Sequence, residues 1–169
     1  LNRFGEPPHQ FPAFTASVCN LRPTSRGHVS ITSTDPQAQP AIAPNYLSTD
    51  ADRKIAIDAI RITRRIVLES EALKPYSPQE FMPGPSFQTE EELIKAAGDI
   101  GTTIFHPVGT CKMGSATDPS AVVDTDFKVR GIERLRVIDA SIMPTITSGN
   151  TNAPTYMIAA RGAAAVKRS

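Results

Sequence analysis

Apolar positions recur along this chain in two rhythms, one helical and one alternating. Ile55, Ala59, Ile62 and Ile66 fall three or four residues apart, which predicts one buried face of a long helix. Thr49 stands where an N-cap belongs, and Asp50 and Asp52 place carboxylates in the first turn, at the positive end of the helix dipole. Pro75 ends the pattern. Arg53, Arg61, Arg64 and Arg65 lie mostly off the apolar face and read as a solvated surface. Thr89-Glu90-Glu91-Glu92 is a capping box, predicting a short helix to about Ala97 with Gly98 near its end. A last helix opens at Asn152-Ala153-Pro154, with proline in its first turn. It carries Tyr156, Ala159, Ala160, Ala163 and Val166, and its many alanines favour helix and close packing against a sheet or cofactor.

The alternating rhythm is clearest in His28–Thr32, which follows the turn-forming run Pro23-Thr24-Ser25-Arg26-Gly27 and predicts a half-buried strand. Phe14–Val18 is a β-prone run that also predicts a strand, and Ala41–Tyr46 a further extended piece. Leu135-Arg136-Val137-Ile138 reads as a compact apolar strand ending in Asp139. Residues 1–12 and 77–87, rich in proline and glycine, are predicted to be irregular connections. No internal repeat or low-complexity tract interrupts this pattern.

Composition narrows the function classes. With 18 basic and 17 acidic residues the net charge is +1, which removes the electrostatic case for a nucleic acid or an anionic membrane. No apolar run approaches the roughly 18 residues of a membrane span. The start, Leu1-Asn2-Arg3-Phe4, is neither an initiator methionine nor a signal peptide, and implies a processed or truncated chain. Cys19 and Cys111 make no disulfide framework and lack zinc spacing, so two plain thiols in a reducing, cytoplasmic setting are expected, with no metal site.

The candidate chemistry lies in the last third. Of three histidines, His9 sits in a proline-rich loop and His28 on a predicted strand. His106 lies in Phe105-His106-Pro107-Val108-Gly109-Thr110-Cys111-Lys112-Met113-Gly114. Pro107 excludes ordinary helix there, and the glycines allow close approach of the backbone. A rigid loop holding one titratable ring suits a general base near neutral pH, with a satisfied structural histidine as the competing reading. A second constellation is Asp139-Ala140-Ser141, then Ser148-Gly149-Asn150-Thr151-Asn152-Ala153-Pro154-Thr155. An acid at a strand end can bind ribose or ribityl hydroxyls, and a helix N-terminus can stabilise negative charge. An ordinary capped helix after a loop is the competing reading.

Together these segments resemble the paired C-terminal signatures of glucose–methanol–choline (GMC) oxidoreductases: His-Pro-x-Gly-Thr ending in Met-Gly, then Val-x-Asp-Ala-Ser followed by proline, Ser-Gly-Asn and Asn-x-Pro-Thr. The upstream Ser25-Arg26-Gly27-His28-Val29, Asp35-Pro36, Pro40-Ala41-Ile42 and Asn45-Tyr46-Leu47 are similar too, so the resemblance covers nearly the whole chain. The Cys-Lys-Met-Gly wording is nearest the choline-dehydrogenase-like branch.

The resemblance implies an enzyme that passes a hydride from a small-molecule alcohol to FAD, with His106 as the acceptor of the hydroxyl proton. The second catalytic position falls at Asn150, with Asn152 two residues on as the alternative. Asp139 and Ala140 match positions near the ribityl–pyrophosphate chain of FAD, and Asn152, Pro154 and Thr155 the stretch beside the pyrimidine end of its ring. It further implies an α+β fold: residues 1–99 as the later part of a substrate domain with an antiparallel sheet, and residues 100–169 as the return to a Rossmann-like FAD domain. No Gly-x-Gly-x-x-Gly motif occurs. The N-terminal FAD-binding part is therefore expected to be a missing partner of the same polypeptide. The chain alone is expected neither to hold FAD nor to turn over alcohol, and to self-associate through exposed faces. A hydroxynitrile-lyase-type enzyme on the same scaffold and a non-catalytic binding module are the alternatives.

Overall fold

The structure, a computed structural model, describes residues 7–168; residues 1–6 of the predicted irregular lead-in lie outside them. Three helices and one two-stranded antiparallel sheet make an α+β chain: β1 (His28–Ser30), β2 (Ala41–Ala43), α1 (Asp50–Glu69), α2 (Glu90–Ile100) and α3 (Asn152–Lys167). The chain divides into two compact units. One joins Pro44–Thr102 to the segment ending at Gly27; the other joins His28–Ala43 to the segment from Thr103 onward.

In the first unit, α1 and α2 pack against each other, burying Ile57, Leu93 and Ala96. Both helices start as their sequences dictate. The Thr49 hydroxyl accepts from the Asp52 N–H at 3.3 Å. At α2, Thr89 accepts from the Glu92 N–H at 3.2 Å, while the Glu92 carboxylate accepts from the Thr89 N–H at 2.9 Å. The bond from the Thr89 N–H, with a second from the Gln88 N–H at 2.8 Å, holds the Glu92 carboxyl below its ordinary range. α2 continues past the predicted Ala97 to Ile100, because Gly98 adopts helix and Gly101 takes the C-cap.

Four expectations are corrected. The predicted face of α1 is not buried: Ile55, Ile62 and Ile66 are 42%, 47% and 58% exposed. Helical spacing marks a face that can be covered, not what covers it. Phe14–Val18 forms no strand, since β structure requires a paired neighbour and none lies beside it. Leu135–Ile138 is likewise reduced to one isolated bridge, Lys128 to Arg136. Arg64 is no solvated arginine. Its guanidinium donates from Nε and Nη2 to the Glu80 carboxylate at about 3.0 Å, from Nη1 to the Phe87 carbonyl at 2.8 Å and from Nη2 to the Gly84 carbonyl at 3.1 Å. One side chain thereby fastens the 77–87 loop to α1.

Asp52 does the same for the segment before β1. Its carboxylate accepts from Asn20 Nδ2, the Thr24 N–H and hydroxyl, and the Ser25 N–H, at 2.8–3.1 Å. Burial opposes its ionisation, yet the bonds from Ser25 and Thr24 outweigh it and hold the pKa down to about 2.

In the second unit, β1 and β2 pair with Val29 opposite Ile42. The core joins Val123, Phe127, Ile142, Met143, Ile158 and Ala165. α3 turns Ile158, Gly162 and Ala165 inward, whereas Tyr156, Ala159, Ala160, Ala163 and Val166 are exposed.

Candidate functional site

The loop after His106 and the turn after Asp139 are stitched together by backbone. The Gly109 and Cys111 N–H groups both donate to the Ser141 carbonyl, at 3.0 and 3.1 Å, and the Met113 N–H donates to the Ile142 carbonyl at 2.8 Å. Gly109 has φ +90°, a conformation that side chains resist, which accounts for the glycine three residues after the histidine. Asp139 shapes the other strand of this seam. Its carboxylate accepts from the N–H and hydroxyl of Ser141 and caps the short 3₁₀ turn Ala140–Ile142. Ile142 and Met143 then enter the core, so the seam is anchored from below.

The Met113-Gly114 end of the histidine segment is fixed separately. Lys112 donates to Asp118 at 2.7 Å and to Ser120 at 2.9 Å, and with Ser120 it holds the Asp118 carboxyl well below the ordinary range. Arg130 donates to the carbonyls of Gly114, Ser115 and Asp118. A β-carbon at Gly114 would lie 2.8 Å from that of Ala121. Lys112 is therefore a clamp within its loop.

His106 itself is half-buried. Phe105 before it takes a left-handed φ of 62°, sparsely populated for a bulky residue, and its carbonyl oxygen lies 3.0 Å from His106 Nδ1. The same nitrogen is 3.0 Å from the hydroxyl of Thr151. Thr151 is the N-cap residue of α3 and is 7% exposed. Its hydroxyl makes no bond to its own helix. The two sequence constellations thus meet through one side-chain contact across 45 positions.

The other predicted residues are distributed around this contact. Asn150 is exposed and immediately precedes Thr151; Asn152 is exposed and is the first residue of α3. Pro154 and Thr155 are half-buried in the first turn, and the Thr155 hydroxyl donates to the Thr151 carbonyl at 2.7 Å. Ala140 packs against the core. Sequence reasoning missed Thr151. The residue type at a helix start was visible, but it signals a cap, and only the fold shows the hydroxyl turned to another segment.

A shallow depression of about 810 Å³ is lined by residues including Asp124, Lys128, Gly131, Glu133, Arg134 and Arg136, and by none of the predicted site residues. Among the described residues no group of three His, Cys, Asp or Glu side chains could hold a metal ion, and no helix is long and apolar enough to cross a membrane.

Residues 23–159 match the GMC oxidoreductase family. The oxygen-dependent choline dehydrogenase 1 of Chromohalobacter salexigens is 49% identical over 158 residues, 94% of this chain and 28% of that protein. The alcohol dehydrogenase (acceptor) of Pseudomonas putida is 43% identical over 155 residues, 92% of this chain and 28% of that protein. Among solved structures, the pyridoxine 4-oxidase of Mesorbium loti superimposes with a TM-score of 0.78 at 33% identity, over 88% of this chain and 28% of that one. A formate oxidase superimposes with a TM-score of 0.81 at 30% identity, over 94% and 29% respectively. The chain therefore spans under a third of the length of these relatives.

Proposed function

This chain belongs to the GMC oxidoreductase family, and from that premise we propose that it is the C-terminal part of an FAD-dependent enzyme that oxidises a primary or secondary alcohol. Residues 1–99 are assigned to its substrate domain and 100–169 to its FAD-binding domain. The observation that carries the reading is the His106–Thr151 contact, which seats the histidine beside the start of α3.

The residues present fit a flavin at that helix start. Thr151, the side chain that would ordinarily satisfy the first N–H groups of α3, is turned to His106, leaving the positive end of the helix to another acceptor. Asn152, Pro154 and Thr155 would lie against the pyrimidine end, and Asp139 and Ala140 nearer the ribityl–pyrophosphate chain. FAD, when bound, supplies the hydride acceptor. His106 takes the hydroxyl proton of the alcohol, so that loss of a proton and a hydride leaves a carbonyl product. Asn150 has no basic group at pH 7, and its carboxamide donates a hydrogen bond to the substrate oxygen. Choline is the first alcohol to try, given the relatives that carry its name.

The exposed apolar faces, Ile55, Ile62 and Ile66 on α1 and Tyr156, Met157 and Val166 on α3, are assigned to contact with the N-terminal part of the polypeptide. Alone, the chain is expected to self-associate and to purify without flavin colour; a stoichiometric flavin absorption band in the isolated chain would contradict this. The decisive experiment is anaerobic mixing of the full-length protein with alcohol. Bleaching of the flavin is expected, slowed by about 10²–10⁴-fold in His106→Ala. A flavin that stays oxidised with every alcohol, or bleaches as fast in the variant, sinks the proposal.

A further inference from the structure

We propose that Thr151 is the positioning residue of His106, sharing with the Phe105 carbonyl the hydrogen on Nδ1 and so keeping the Nε2 lone pair towards the substrate. The inference rests on the reading of His106 as the base and adds a residue that the sequence motifs did not single out.

A buried hydroxyl is costly unless it is hydrogen-bonded. Thr151, 7% exposed, is with Asp52 one of two buried polar residues among those described, and His106 is the partner of its hydroxyl. The tautomer follows from the second neighbour of the same nitrogen. The Phe105 carbonyl can only accept, and it lies 3.0 Å from Nδ1. A lone pair on Nδ1 would face that oxygen in repulsion, so Nδ1 carries the hydrogen. Thr151 Oγ1, also at 3.0 Å, shares it as a second acceptor. Nε2 is then the unprotonated nitrogen. When the alcohol proton moves to Nε2 the ring becomes imidazolium, and both oxygens already face its Nδ1–H. No rearrangement is needed at that end of the ring, which is the condition for an efficient preorganised base.

The alternative origin of the contact is simple packing at the start of α3, and the two make different predictions. Thr151→Val keeps the shape and removes the hydroxyl; Thr151→Ser keeps the hydroxyl and removes the methyl. In the full-length flavoenzyme, Thr151→Val should slow anaerobic flavin reduction about tenfold, the worth of one hydrogen bond, with the alcohol KM little changed. Thr151→Ser should restore the rate. In a His106→Gln background, Thr151→Val should cost nothing more, because Thr151 acts through the histidine. With ¹⁵N-labelled histidine, the His106 signal, identified by its loss in His106→Gln, should report hydrogen on Nδ1 in the parent and a weaker preference for Nδ1, with some Nε2–H, in Thr151→Val, where one of the two acceptors is lost and the Phe105 carbonyl remains. If His106→Gln slows reduction but Thr151→Val neither slows it nor changes the tautomer, the positioning role is wrong and the base assignment stands. If His106→Gln leaves reduction unchanged, the base assignment falls and takes this inference with it.

Discussion

Gly162 of α3 and Ile138 lie so close that a β-carbon on the glycine would sit 2.2 Å from Ile138 Cγ2 and within 3.0 Å of two further Ile138 carbons. Ordinarily Gly→Ala inside a helix gains about 1 kcal/mol. Here the gain is opposed by overpacking against a stiff β-branched side chain, at about 1–3 kcal/mol. Gly162→Ala should therefore be neutral to destabilising by about 2 kcal/mol in denaturant melts. Combined with Ile138→Ala, the same substitution should turn stabilising relative to Ile138→Ala alone. Stabilisation by Gly162→Ala in the unaltered chain would show that the two elements are not in contact.

Arg64 and Glu80 have side chains 15% and 12% exposed, so their pairing is largely shielded from solvent. A lysine cannot reproduce a bidentate carboxylate contact together with two carbonyl contacts. Arg64→Lys should cost about 2–3 kcal/mol, less than the loss of a fully buried pair. Arg64→Met with Glu80→Leu should recover much of that loss, because no charge is then left buried alone. A loss below 0.5 kcal/mol, the range of exposed ion pairs, would refute the anchoring role.

The pH dependence of stability should carry the signature of Asp52. Its carboxyl titrates near 2 in the fold, below its ordinary 3.8, so the unfolded chain binds the proton more readily. The contribution is present in full above about pH 4 and is lost as the pH falls towards 2, amounting to about 2 kcal/mol. Asp52→Asn should be less stable than the parent by about this amount at pH 7, with the difference closing at pH 2. A constant difference across that range would refute the assignment.

Asn150→Ala tests the carboxamide. If it donates to the substrate oxygen, the full-length enzyme should lose about 10²-fold in kcat/KM, the usual cost of removing one such donor. Asn152→Ala, two residues on, should lose far less. The reverse order would exchange the two roles.

Local signals in the sequence were reliable where one residue and its near neighbours decide the outcome. The Thr49 and Thr89 caps and the Asn152-Ala153-Pro154 helix start form as read, while the strand read as half-buried at His28–Thr32 is an exposed His28–Ser30. The candidate site was legible as two motifs, and the structure joins them through His106 and Thr151. What was not legible depends on distant partners. Phe14–Val18 and Leu135–Ile138 have strand composition without a full set of paired neighbours, and the α1 isoleucines have helical spacing without a cover. Arg64 read as a surface charge and Asp52 as a first-turn carboxylate at the helix dipole, because nothing near them in sequence reveals Glu80 or Thr24.

The hairpin has one more implication, for the order of events during synthesis. His28–Ala43 is made before Pro44–Thr102, yet it clusters with chain that begins only at Thr103. Val29 and Ile42, 51% and 68% exposed even in the finished structure, must wait through that interval. An isolated two-stranded ribbon is marginal in water, so this segment cannot consolidate until the residues from Thr103 onward arrive. A chain released after Thr102 should leave His28–Ala43 open to proteolysis while α1 and α2 are protected.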